Sequence, residues 1–206
     1  MCFMSEPTHT RAAISAVCVA LLLTIAAPPA RAATPISACG TVIKTPGSYV
    51  LTKNLTIKAG AKLDACVAVN ASFVTIDLAG FVIDCGCGAN TVGCPAGVWD
   101  ENTSQMGIIV RNGTVSHCNA GVSFFFQSTG VLIDGISSLA NVNAGVALHS
   151  GDSATRSIGN DNGGDGIPVS VCDLTSATDN TALGNGLGGV VDFFGSPCPA
   201  LNNLSQ

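Results

Sequence analysis

Charge is scarce in this chain. Lys and Arg together number 8 and Asp and Glu 13 among 206 residues, so charged side chains make up 10% of the whole. Gly, Ala, Ser, Thr and Asn fill the space, and such a surface is solvated by hydroxyls and amides, as in many extracellular β proteins. Positive charge is the scarcer sign. Beyond residue 32, 6 basic residues face 12 acidic ones, a net charge of −6, which excludes nucleic acid as a partner because phosphate binding rests on Lys and Arg. Long hydrophobic runs are missing as well: after the stretch from Ala12 to Ala27 no apolar segment could cross a membrane. Aromatic residues are 5% of the chain, with a single tryptophan, Trp99, and Glu101 is the only glutamate beyond residue 32. Glycoside hydrolysis needs two carboxylates at a defined separation, and the sequence assembles no convincing pair.

What is present begins with a leader. Arg11 precedes the apolar stretch, and Ala30-x-Ala32 follows it as a small-x-small cleavage site. The sequence therefore predicts a signal peptide over 1–32 and one mature domain over 33–206, secreted or periplasmic. Cys18 lies inside the apolar stretch rather than after it, so no lipid anchor is expected. Cys2 and Cys18 depart with the leader, leaving Cys39, Cys66, Cys85, Cys87, Cys94, Cys118, Cys172 and Cys198. An even number of cysteines in an exported chain favours disulfides over thiol chemistry.

The second half repeats. Ile108-Ile109-Val110-Arg111, Gly113-Thr114-Val115-Ser116 and Ala120-Gly121-Val122-Ser123-Phe124 recur as Val131-Leu132-Ile133-Asp134, Gly135-Ile136-Ser137-Ser138 and Ala144-Gly145-Val146-Ala147-Leu148. Gly166-Ile167 and Gly189-Val190 end two weaker copies, and the shared glycines are spaced 24, 21 and 23 residues apart. A period of this size, built of short β-rich pieces and Gly/Asn corners, predicts a solenoid. Strand-like pieces at Thr41–Ile43, Tyr49–Thr52 and Leu55–Ile57 read as a capping or first rung. The segment Val74–Asp77 stacks with Ile108–Arg111 and Val131–Asp134, followed more weakly by Ala154–Ser157 and Leu174–Ala177. Alternation turns Val74, Ile76, Ile108, Val110, Val131 and Ile133 inward and leaves Asp77, Arg111 and Asp134 as an outer column. Asn141 and Asn185 fall at corners, where Asn tolerates left-handed dihedrals and can ladder its amides. An insertion over about 86–106 interrupts the repeat and carries Cys87, Cys94, Trp99 and Glu101.

The opening Cys39-Gly40-Thr41 with Pro46-Gly47-Ser48-Tyr49-Val50-Leu51-Thr52, the segment Val74–Gly80 and the Gly-Val/Ile corners resemble exported right-handed parallel β-helix repeat proteins of the pectate-lyase-like superfamily. The resemblance spans about residues 39–195. It implies an all-β fold, a right-handed parallel β-helix of about six rungs with one disulfide-stapled insertion, in a superfamily of polysaccharide lyases and hydrolases, tailspikes, adhesins and non-enzymatic maturation proteins.

Cys85 and Cys118 end equivalent strands on adjacent rungs, whose spacing matches a disulfide. Cys87–Cys94 then closes a small loop in the insertion, Cys39–Cys66 staples the first turn, and Cys172–Cys198 ties down the tail. Eight cysteines allow 105 pairings. The rival reading is a metal site from Cys85, Cys87, Cys94 and His117 or Cys118, although Cys-x-Cys is not the usual zinc spacing.

The column Asp77, Arg111, Asp134 is the one catalytic candidate, since in pectate-lyase-like enzymes outer-face acids bind calcium and an Arg takes a proton. The simpler reading is charge neutralisation along a solenoid face. The superfamily's hydrolase pattern of Asn-x-Asp, Asp-Asp, Gly-His-Gly and Arg-x-Lys is absent, and no two Asp share a column on neighbouring rungs. No cofactor is expected. Asp161–Gly166 superficially resembles a calcium loop, but the twelfth position is Cys172, so at most a weak, partly hydrated calcium fits there; a Gly/Asn corner is the plain alternative. His149 and Asp152 form a polar turn cluster, and an exposed Trp99 with Glu101 on the insertion offers a platform for a sugar ring. The ligand-binding candidates are thus Trp99, Glu101, His149 and Asp152. The expectation is a non-enzymatic module that binds polysaccharide or a cell-surface protein. The alternative is a small polysaccharide lyase or hydrolase, and an open C-terminal rung invites a homo-oligomer.

Overall fold

A computed structural model describes residues 32–58, 61–88, 91, 93–101, 104–124, 128–149, 151–169, 176–192 and 203–205. Residues Ala33–Gln206 form one compact unit. The expected signal peptide (up to residue 31), the Cys172–Cys198 pair and Leu174-Thr175 of the last stacked segment lie outside the described residues.

The described residues are strand and turn without helix. The strands are β1 (Thr34–Ile36), β2 (Thr41–Ile43), β3 (Gly47–Leu51), β4 (Leu55–Thr56), β5 (Ala65–Val69), β6 (Val74–Asp77), β7 (Val82–Asp84), β8 (Ala96–Trp99), β9 (Ile109–Ser116) and β10 (Val122–Phe124). They continue as β11 (Leu132–Leu139), β12 (Val146–Leu148), β13 (Ser153–Thr155), β14 (Ile158–Asn160), β15 (Ile167–Val169), β16 (Ser176–Thr178), β17 (Thr181–Ala182), β18 (Val190–Asp192) and β19 (Leu204–Ser205). Each pairs in parallel with its counterpart one repeat later. One sheet of 7 strands runs β2-β5-β8-β10-β12-β15-β18. The other, of 12 strands, has two branches that share β9 and β11. The first runs β1-β3-β6-β9-β11-β13-β16, and the second runs β4-β7-β9-β11-β14-β17-β19. Parallel pairing between successive repeats, with short corners between sheets and an offset of 21 to 24 residues from β9 onward, is an arrangement consistent with a solenoid.

Packing explains the repeated Gly-Val dipeptide. Gly97, Gly121, Gly145 and Gly166 precede the inward residues Val98, Val122, Val146 and Ile167. Each inward amide bonds to the glycine carbonyl of the next repeat, as in Val98 N to Gly121 O at 3.0 Å and Val122 N to Gly145 O at 3.1 Å. A Cβ on Gly97 would stand 2.5 Å from Gly121 O, and one on Gly121 would stand 2.7 Å from Gly145 O. The sheet therefore approaches its neighbour too closely for any side chain at this step.

The core is a set of inward columns. Tyr49, Ile76, Val110, Ile133, Ala154 and Ala177 stack in one branch of the larger sheet, all buried. Leu55, Ile83, Val115, Ser138 and Gly159 stack in the other. Val74, Ile108 and Val131 are all buried on consecutive repeats. The outer column also forms, with Asp77 opposite Arg111 and Arg111 opposite Asp134.

Beyond β11 the register differs from the sequence alignment. Ala154 lies opposite Ile133, not Val131, and Ala177 lies opposite Ala154. The inward residues there are alanines flanked by Ser and Thr, so no hydrophobic alternation marks the register.

Where side chains shrink, asparagine takes over. Asn141 N and Nδ2 both donate to Asn162 Oδ1, at 3.0 and 2.9 Å. Asn162 repeats both bonds to Asn185 Oδ1 at 3.0 and 2.9 Å, and Asn141 Oδ1 accepts from Cys118 N at 2.9 Å. At a second corner Ser157 N donates to Asn180 Oδ1 and Asn180 N to Asn203 Oδ1, at 2.8 and 2.9 Å. These ladders satisfy corner amides that would otherwise be buried unpaired. Asn162 places the Asp161–Gly166 segment in this ladder as a corner.

Three disulfides join Cys39 to Cys66, Cys85 to Cys118 and Cys87 to Cys94. They are the pairs proposed for those six cysteines, and a thiolate metal site from them has no donors left. Among the described residues no cluster of three or more His, Cys, Asp or Glu could hold a metal ion.

Candidate functional site

Trp99 is the last residue of β8, a member of the smaller sheet, and not part of a projecting loop. It sits opposite Ala68 on one side and Ser123 on the other. Val98, its neighbour, points inward and is fully buried, so alternation turns the indole to the outer face. There it is half-buried and lines a groove of about 350 Å³ with Leu63, Asp64, Cys94, Asn119 and Ser123. The Cys87–Cys94 disulfide anchors the wall that carries Gly93 and Cys94. Asp64 is exposed, and Asn119 is half-buried with its Oδ1 accepting from Asn143 Nδ2 at 2.6 Å. The groove thus joins an indole face to a carboxylate, an amide, a hydroxyl and an apolar wall. That mixture suits a ring bearing hydroxyls on an apolar face.

The other three ligand candidates line no part of this groove. Glu101 stands at a turn with φ +51° and accepts from Asn70 Nδ2 at 2.7 Å. Asp152, read from sequence as part of an exposed turn cluster, is buried at 2% exposure. Its Oδ1 accepts from Val131 N at 2.9 Å and its Oδ2 from His149 N at 3.0 Å. Burial pushes its carboxyl up to about 6, against the lowering effect of those two amides. Nearby, Asp100 is fully buried and accepts from Ser128 Oγ at 2.6 Å. Asp100, Ser128 and Asp152 follow β8, β10 and β12 on successive repeats, so they occupy one corner. Asp152 and Ser128 do the work of the asparagines elsewhere, accepting from corner backbone at Val131, His149 and Gln105, and burial closes all three to a polymeric substrate.

The charged column resolves into separate pairs. Arg111 Nε donates to Asp77 Oδ2 at 3.0 Å, and Asp77 Oδ1 also accepts from Ala79 N at 2.8 Å. Asp134, though opposite Arg111, accepts from Arg156 Nε at 2.9 Å, from Arg156 Nη2 and from Thr155 Oγ1 at 3.0 Å. The bond from Arg156 holds the Asp134 carboxyl below the usual range, and the same pairing raises Arg156. Each carboxylate is committed to a guanidinium, and the column presents no free acid–base pair.

Sequence reasoning singled out Trp99 but not Asp64, Asn119 or Ser123. Asn119 and Ser123 lie one repeat beyond Trp99 and Asp64 lies one repeat before it, so the facing positions of Trp99 in the repeat alignment were the available signal. No family model, curated protein or solved structure matches this chain, so its functional reading rests on this geometry.

Proposed function

We propose that this chain is an exported, non-enzymatic module whose outer groove at Trp99 binds glycan. In this reading it is a right-handed parallel β-helix of about six rungs, of the pectate-lyase-like kind its opening and corners resemble. The two parallel sheets with repeat-to-repeat pairing support the fold. The three disulfides support an oxidising compartment, secreted or periplasmic. Among the described residues no helix is long and apolar enough to cross a membrane.

The observation that carries the binding reading is the half-buried indole of Trp99 in a disulfide-walled groove beside Asp64, Asn119 and Ser123. An aromatic face packs against the apolar face of a pyranose, and polar neighbours fix its hydroxyls. A fixed wall lowers the ordering cost of binding. The alternative, a small lyase or hydrolase acting at Asp77, Arg111 and Asp134, has weaker support because both acids are engaged by arginines.

A glycan array probed with the exported protein separates the two readings. The module binds a restricted set of oligosaccharides, loses them in Trp99→Ala and keeps them in Arg111→Ala. Cleavage of a uronic-acid polymer that disappears in Arg111→Ala would establish the enzyme instead.

A further inference from the structure

The charges of this chain are sorted along its length. Residues 33–63 hold Lys44, Lys53, Lys58 and Lys62 and no acid, while residues 151–206 hold 6 Asp and one basic residue, Arg156. Parallel pairing turns this order into a spatial one. The four lysines belong to the first two repeats and are all exposed. Asp161 and Asp179 are exposed and Asp165 half-buried in the last repeats, and Arg156 is already spent on Asp134.

Both ends also carry sheet edges. Among the described residues β2 and β4 at one end and β18 at the other have partners on one side only. Edges of this kind are templates for further strands.

The ends match in shape at one corner. The corner between β17 and β18 carries Leu187, 81% exposed, between Gly184, which neighbours Asp161, and Gly188, which neighbours Asp165. The equivalent corner at the other end precedes β2 and β5. It holds a groove of about 600 Å³ lined by Ala38, Lys53, Leu55, Lys58, Ala61 and Leu63. Continuing the stack by one more repeat sets the first corner on the second. An exposed leucine flanked by two carboxylates then meets a mixed polar and apolar groove that also holds Ser37, Asn54 and Thr56 and is flanked by the ammonium groups of Lys53 and Lys58.

We infer that the chain associates with a second copy of itself, head to tail, the Leu187 corner of one seated on the Lys53 and Lys58 groove of the next. The contact is heterologous and does not close, so it builds linear assemblies. It involves no residue of the Trp99 groove other than Leu63. Opposite charge on the two faces makes the association sensitive to salt.

Sedimentation velocity on protein exported from cells expressing the full 206-residue sequence tests this. At low salt the sedimentation coefficient rises with concentration, and at about 1 M salt, where the screening length is about 3 Å, it falls to that of one chain. The exposed pair Lys53→Glu with Lys58→Glu weakens association at least tenfold while leaving the circular dichroism unchanged, and Asp161→Asn with Asp179→Asn weakens it less. Zero-length carbodiimide cross-links join Lys53 or Lys58 to Asp161 or Asp165 of another chain. A single species at every concentration in low salt overturns the inference. So does assembly that survives Lys53→Glu with Lys58→Glu.

Discussion

Asp134 faces Arg111 across paired strands yet gives its carboxylate to Arg156, one repeat further on. Arg111 turns the other way, to Asp77. Register alone therefore does not decide an ion pair. Asp77 is bonded by the Ala79 amide within its own turn, which fixes one oxygen and leaves Oδ2 aimed at Arg111. Asp134 has Thr155 directly opposite and Arg156 beside it. Arg156→Ala consequently raises the Asp134 pKa in a carboxylate titration by NMR, whereas Arg111→Ala moves it far less. Asp134, with its depressed pKa, stabilises the fold above the unfolded carboxyl's pKa of about 3.9 and loses that contribution as pH falls through its folded value. The pair is solvent-exposed, so the thermal midpoint at pH 7 changes little in either variant.

Asp152 works in the opposite direction. Its folded carboxyl lies at about 6 against about 3.9 unfolded, so the folded state binds the extra proton between those values. Stability is greatest below the unfolded value and declines as pH rises toward 6. The full difference is about 3 kcal/mol at 1.36 kcal/mol per unit. Asp152→Asn removes this slope: the wild-type midpoint falls relative to the variant's between about pH 4 and 6 in paired thermal melts. Parallel curves for the two proteins would show that Asp152 titrates normally.

The asparagine corner makes a separate prediction. Asn162 Oδ1 accepts two bonds from Asn141, and its own donors reach Asn185. Asn162→Ala leaves the backbone N–H of Asn141 buried without its acceptor, while Asn141 Nδ2 keeps Ser138 Oγ at 3.0 Å. The expected loss is about 1–3 kcal/mol in urea denaturation, with an unchanged slope.

How much of this was legible depended on the size of the inward side chains. Where Ile76, Val110 and Ile133 face inward, alternation was visible, and the stack and outer column followed. The cysteine pairs Cys85–Cys118 and Cys87–Cys94 followed from the same alignment. Where Ala154 and Ala177 face inward, the pattern vanished into a run of small polar residues and the register slipped by two or more positions. Asn162 looked like a residue of a calcium loop, because a ladder amide and a cation ligand share one chemistry. The insertion held a hidden strand, β8, since Ala96-Gly97-Val98-Trp99 has a single aliphatic residue large enough to signal an inward face. The Trp99 groove could not be read locally at all: Leu63, Asp64, Asn119 and Ser123 meet it only through the stacking of three repeats.

The taper of the core sets an order of opening. Inward columns of the larger sheet shrink from Leu55 and Ile83 through Val115 to Ser138 and Gly159, and from Tyr49 and Ile76 to Ala154 and Ala177, while the smaller sheet keeps Val or Ile from Val67 to Val190. Each methylene lost from burial forfeits about 0.8 kcal/mol. Hydrogen exchange should therefore proceed from β16–β18 toward β5–β7, with amides of Val67 and Ile76 the slowest. Uniform protection across all repeats would mean that the asparagine ladders fully replace the lost apolar contacts.

Trp99, as the one tryptophan, reports its own groove without a label. Titrating the purified protein with the oligosaccharide that binds best on the array, and following emission at constant ionic strength, tests the central claim most directly. A saturable shift to shorter wavelength, weakened at least tenfold in both Asp64→Ala and Asn119→Ala, is the predicted result. An emission spectrum that stays fixed while calorimetry registers binding would place the sugar elsewhere and contradict it.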